Sequence, residues 1–171
     1  MNNKGFTILE MLIAVTIFTL VVASASGLFV SSLKAQRSTL AYQQLLDQTS
    51  YLMEYMSRAV RMAKKDITGA CTGTAKLNYV FSGQCLKFMN YKNPSQCQQF
   101  CLVGSRIVDE NGNYLTASDL KVTSFNVSLS GQTQSDDLQP KVTVLLNIQG
   151  RENSKIKIQT TISQRNLDIK R

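Results

Sequence analysis

Histidine and tryptophan are absent from this 171-residue chain, proline occurs twice, and 11 acidic residues face 19 Lys and Arg. Without histidine no Ser-His-Asp or Cys-His arrangement can form, and the usual proton carrier of neutral pH is missing. No Gly-x-x-x-x-Gly-Lys-Ser/Thr loop occurs, nor Gly-x-Gly-x-x-Gly, nor Gly-x-Ser-x-Gly. The few carboxylates are scattered through turn-like stretches rather than paired. These absences argue against an enzyme, and no cofactor site is expected. The four cysteines, Cys71, Cys85, Cys97 and Cys101, offer Cys-x3-Cys but not the Cys-x2-Cys of zinc fingers, so no metal site is expected either.

Charge is also missing from one long stretch. Between Phe6 and Val30 only Glu10 is charged, and apolar residues occupy every helical face. That is the pattern of a helix immersed in lipid and about long enough to span it. Lys4 in the short leader would keep the N-terminus cytoplasmic and send the rest outward. Ala23-Ser24-Ala25 also resembles a secretory cleavage site, with Ser26 as the new N-terminus, a competing reading weakened by the short leader and by Glu10.

Once the apolar stretch is set aside, about 140 residues remain, enough for one modest core. Residues 31–66 contain no proline. Leu45/Leu46, Thr49, Leu52/Met53, Met56, Ala59/Val60 and Ala63 recur every three to four positions, one apolar stripe on a polar helix. Beyond Gly69 the pattern changes to alternation. Lys76–Phe81 and Cys85–Tyr91 read as short strands, and 90–99 with Pro94 as a loop. Ile107-Val108 and Tyr114-Leu115 flank an Asn-Gly turn. In Leu120–Ser130 the apolar phase slips by one between Val122 and Phe125, which predicts a bulge. Lys141–Gln149 and Lys155–Ile162 alternate cleanly, and with turns at Asp136-Asp137 and 150–154 they predict an antiparallel meander with one wet face.

Four clustered cysteines behind a membrane segment fit an oxidising compartment and two disulfides, with four reduced thiols as the alternative. Of three possible pairings, Cys71–Cys85 with Cys97–Cys101 closes the shortest loops and is preferred. The second of these bonds requires a turn or helix at 97–101, because an extended strand separates i and i+4 by about 13 Å. The densest basic patch is Arg58, Arg61, Lys64 and Lys65. It reads first as a solvated helix face, and second as a surface for nucleic-acid phosphates or lipid head groups. Asn126-Val-Ser128 is formally a glycosylation sequon in a strand.

Lys4-Gly5-Phe6-Thr7-Ile8-Leu9-Glu10, followed by the apolar run, resembles the cleavage and methylation signature of type IV pilins and type II secretion pseudopilins. The resemblance implies cleavage between Gly5 and Phe6 by prepilin peptidase, a membrane aspartyl enzyme. It implies N-methylation of Phe6 and an assembly role for Glu10. It implies an α+β fold in which one long N-terminal helix, transmembrane in its first half, packs on an antiparallel sheet. The expected organisation is a prepilin leader at 1–5, a transmembrane assembly helix at 6–30, its amphipathic continuation at 31–66 and a mainly β domain at 67–171. The tail around Gln159–Leu167 is similar to J-type minor pseudopilins and W-type minor pilins. Expected partners are other pilin subunits, the peptidase, the cytoplasmic membrane and the inner-membrane assembly platform. The domain would lie outside the cytoplasm. A DNA- or surface-binding pilus tip and a plain signal-anchored receptor domain are the alternatives.

Overall fold

A computed structural model describes residues 5–91, 96–132 and 138–165. Lys4, the loop around Pro94, the Asp136-Asp137 turn and the tail from 166 onward lie outside the described residues. The architecture is α+β: helix α1 (Ile8–Arg61), then strands β1 (Ala63–Lys64), β2 (Tyr79–Ser82), β3 (Cys85–Asn90), β4 (Cys97–Val103), β5 (Arg106–Val108), β6 (Lys121–Ser130), β7 (Lys141–Gln149) and β8 (Lys155–Ser163). The chain divides into two compact units, Met1–Leu40 and Ala41–Arg171.

In the first unit every described side chain is exposed. Thr7 caps α1: its hydroxyl accepts the Glu10 N–H at 3.3 Å and its carbonyl the Met11 N–H at 3.2 Å. Within the apolar run the hydroxyls of Thr16, Thr19, Ser24 and Ser26 donate to carbonyls three or four residues back. Each of these hydroxyls is thereby satisfied inside the helix, as hydrocarbon surroundings require. An 18-residue stretch of α1 has a mean hydropathy of 2.3, and the helix is long and apolar enough to cross a membrane.

In the second unit Ala41, Leu45, Thr49, Leu52, Met53, Met56 and Val60 of α1 are buried, the stripe that the spacing predicts. Fully burying a large apolar side chain contributes about 1.5–3 kcal/mol. Packing onto the strands therefore holds this part of the helix more firmly than propensity does. One core contains Leu45, Met56 and Val60 from the helix, Tyr79, Phe88 and Phe100 from β2–β4, and Val142, Val144, Leu146 and Ile148 from β7. Tyr55 meets Phe100 edge to face, with ring centroids 6.0 Å apart.

The helix ends at Arg61, earlier than the stripe suggests, because Ala63 and Lys64 pair with Asn90 and Met89 as β1. The first sheet runs β1-β3-β4-β5, and β2 pairs with β3 along the rest of that edge. The second sheet is the antiparallel meander β6-β7-β8. Its register slips between Val122 and Ser124, the predicted bulge, and the Thr123 hydroxyl there donates to the Asn147 carbonyl at 3.2 Å. Alternation along β8 is as read: Ile156, Ile158 and Thr160 are half-buried and Ile162 is buried, between exposed lysines and polar residues. β2 begins at Tyr79 rather than Lys76, which adopts a left-handed φ of 69° incompatible with a strand.

Two further sequence expectations are corrected. Residues 97–99 belong to a strand, not a loop. Gln98 points inward, which masks the apolar alternation, and the Asn90 amide satisfies it by donating at 2.7 Å. The disulfides are Cys71–Cys97 and Cys85–Cys101, not the preferred Cys71–Cys85 and Cys97–Cys101. Cys97 and Cys101 both lie in β4, whose extended backbone carries them too far apart to bond. Cys85 and Cys101 are instead direct partners in the β3–β4 register, with Cα atoms 4.0 Å apart.

Candidate functional site

Gly5, Phe6 and Thr7 precede α1 in non-helical backbone, and Phe6 is 81% exposed. The Gly5–Phe6 peptide is therefore outside any intrahelical ladder, and a Cβ at Gly5 would meet nothing within 4 Å. A peptidase needs an accessible peptide in that state. Glu10 follows as the third residue of α1. Thr7-Ile8-Leu9-Glu10 is thus a capping box by sequence, and the Thr7 half of it is formed. The Glu10 side chain is exposed and has no ion-pair partner among the described residues. A carboxylate in the first turn complements the helix dipole, and it lies about one turn from the backbone nitrogen of Phe6.

Apolar exposure continues up the helix through Leu12, Val15, Phe18, Val22 and Phe29. Such a surface needs lipid or other helices around it. Residues 1–26 match the prokaryotic N-terminal methylation motif. No curated protein and no solved structure matches the chain. The motif spans Gly5, Phe6 and Glu10 together with most of the apolar run. It supports kinship with type IV pilins and pseudopilins, a structural family, and with it membrane anchoring through the first helix. It also implies processing by prepilin peptidase and assembly with other pilin subunits.

The remaining candidate residues separate. Among the described residues no group of three or more His, Cys, Asp or Glu comes together. Of the basic patch, Arg58 is ion-paired with Glu54 one turn earlier. Lys64 lies in β1, past the end of the helix. Arg58 and Arg61 line an open groove of about 790 Å³ with Met62, Thr161, Ser163 and Arg165. Arg165 escaped the sequence reading because it joins the other arginines only through the fold: its N–H donates to the Arg61 carbonyl at 2.9 Å.

Two aspartates also escaped it. Asp66 is fully buried, and its carboxylate accepts N–H groups from Gly69, Cys71 and Thr72 and the Thr72 hydroxyl. Burial alone would push this carboxyl up, but those hydrogen bonds prevail and hold it at about 2. Asp109 organises the Asn-Gly turn similarly, accepting the Asn111 and Asn113 N–H groups and the Asn113 amide. Its carboxyl is likewise held below the usual range, burial being outweighed by these bonds. The available signal was an aspartate followed within three residues by glycine, a turn-forming pattern.

Proposed function

We propose that this chain is a minor pilin or pseudopilin subunit, cut between Gly5 and Phe6, methylated on the Phe6 amine and assembled through its N-terminal helix. The observation that carries the reading is a coincidence of position. The methylation motif covers residues 1–26, and the Gly5–Phe6 step within it lies in the non-helical stretch just before the Thr7 cap. A carboxylate in hydrocarbon costs roughly 3 kcal/mol on insertion scales and is normally retained for a partner. Cleavage supplies one. The new amine at Phe6 of a subunit already in the bundle neutralises Glu10 of an incoming subunit and so sets the axial register. The second unit lies outside the cytoplasm. The filament grows or shrinks by subunit addition at the inner-membrane platform, driven by a separate ATPase.

A priming or tip position in a type IV pilus or type II secretion pseudopilus is the finer part of this proposal. It rests on the similarity of the 159–167 stretch to J-type and W-type minor subunits. Closure of the second sheet by β8 is in keeping with it. Intact-mass measurement of the membrane-extracted protein tests the proposal. Loss of Met1–Gly5 with addition of one methyl group is expected, and an uncut chain, or one beginning at Ser26, refutes it.

A further inference from the structure

Strands β6, β7 and β8 together contain Lys121, Lys141, Lys155 and Lys157 and no carboxylate. All four lysines are exposed, on a sheet face that also carries Thr143, Gln159 and Thr161 and, in register with Gln159, the half-buried Leu145. At one end of β8, Lys155 and Lys157 line a depression of about 150 Å³ with Asn147, Gln149 and Thr123. At the other end, Thr161 and Ser163 line the groove that carries Arg58, Arg61 and Arg165. Arg58 is neutralised by Glu54, whereas the Arg61 and Arg165 side chains have no acidic partner among the described residues. Their shared backbone hydrogen bond keeps these two positive charges together. Surface charges of one sign ordinarily alternate with the other; at the lysine end the segments flanking the strands carry Glu152 and Asp119, and Asp119 is paired with Arg151 at 3.2 Å.

We propose that this β8 side of the domain binds the phosphate backbone of duplex nucleic acid. The geometry favours an extended polyanion over a compact one. β8 is nine residues long, roughly 30 Å at about 3.3 Å per residue. That spans about eight or nine base pairs of duplex, at about 3.4 Å per pair. The cations stand at the two ends, and uncharged residues, chiefly the donors Gln159, Thr143 and Thr161 around Leu145, fill the interval. Phe125 is the one aromatic residue of the three strands, and it is buried. The face therefore has no ring on which an unpaired base could stack, which selects duplex backbone over single strands.

The test uses the full chain in nanodiscs of zwitterionic lipid, a fluorescent 20-base-pair duplex and anisotropy read across a salt series. It does not depend on cleavage or assembly, so its outcome is independent of the proposed function. Binding at low salt is expected to weaken linearly in log–log form as salt rises. Each double variant, Lys155→Gln/Lys157→Gln and Arg61→Gln/Arg165→Gln, should lower the slope by about 2 and the low-salt affinity at least about 10-fold. Lys34→Gln/Arg37→Gln, on the other unit, should leave both unchanged. All six positions are solvent-facing, so the variants should keep the wild-type melting midpoint. Absence of binding at low salt, double variants that bind like wild type, or single strands that bind as tightly as duplex would each overturn the proposal. Equal competition by dextran sulfate of matched charge would overturn the assignment to nucleic acid.

Discussion

The Asp66 carboxylate accepts the Cys71 N–H at 2.7 Å, so a residue just beyond the helix clamps the loop whose cysteine is bonded to Cys97. Gly69 completes the same loop with a φ of 77°, and a Cβ there would meet Ala75 backbone at 2.8 Å. Asp66→Asn keeps the size but turns an amide toward donors that need an acceptor. Buried donors left unpaired cost about 1–3 kcal/mol each. Chemical unfolding of the detergent-extracted variant should show a loss of about 2–4 kcal/mol. A loss under 0.5 kcal/mol would mean that the disulfide alone shapes the loop.

The same carboxylate makes stability depend on acid. Its folded value is about 2 against an ordinary 3.8, a difference of roughly 2 kcal/mol. Because the folded value is the lower one, the contribution is fully present above about pH 4 and disappears as pH falls towards 2. Asp109 is shifted in the same direction and adds to the decline. Unfolding midpoints between pH 2 and pH 7 should fall in this acid window for the wild type and more shallowly for Asp66→Asn. Parallel curves would remove Asp66 as the cause.

Peptide mapping without reduction should recover Cys71 joined to Cys97 and Cys85 joined to Cys101. The latter bond closes a sequence separation of 16 residues, and restraint of the unfolded chain by such a loop contributes about 3 kcal/mol. Cys85→Ala/Cys101→Ala should lose about that much while β3 and β4 stay paired. Recovery of Cys97 joined to Cys101 would contradict the strand assignment itself.

Tyr79 is fully buried, and its hydroxyl donates to the Val60 carbonyl at 2.9 Å. Val60 lies in the last turn of α1, where carbonyls lack intrahelical donors. Burial pushes the phenol up, so the group remains a neutral donor across the working range. Tyr79→Phe should therefore cost about 1–3 kcal/mol in chemical unfolding through the orphaned carbonyl. An unchanged midpoint would show that water or a neighbouring group satisfies Val60.

Periodicity made much of this structure readable in advance. The buried stripe from Leu45 to Val60 and the strands β6 to β8 follow repeats of 3.6 and 2, and the bulge at Thr123 betrays itself as a phase slip. Where polar residues face inward, the signal fails. Gln98 hides β4, and once β4 is hidden the disulfide register of Cys85 with Cys101 is hidden too. Local spacing located the arginines of the last helical turn but not Arg165, whose approach to them is a long-range contact. The N-terminal motif was legible because it is local: a glycine, a phenylalanine and a carboxylate fall within six residues, Gly5 to Glu10, whereas the Thr7 cap between them came only with the structure.

That carboxylate has two separable duties. As the third residue after the Thr7 cap, Glu10 can serve the helix start, a duty that glutamine also performs in a capping box. As a charge, it can meet the amine of a neighbouring Phe6, which glutamine cannot do. Glu10→Gln and Glu10→Val should therefore both insert and be cleaved normally. If charge pairing sets the register, both should enter filaments poorly, by at least about 10-fold when counted in sheared filament fractions against membrane-resident chain. If capping alone matters, Glu10→Gln should incorporate like wild type and only Glu10→Val should fail. Normal incorporation of both variants would remove Glu10 from assembly altogether.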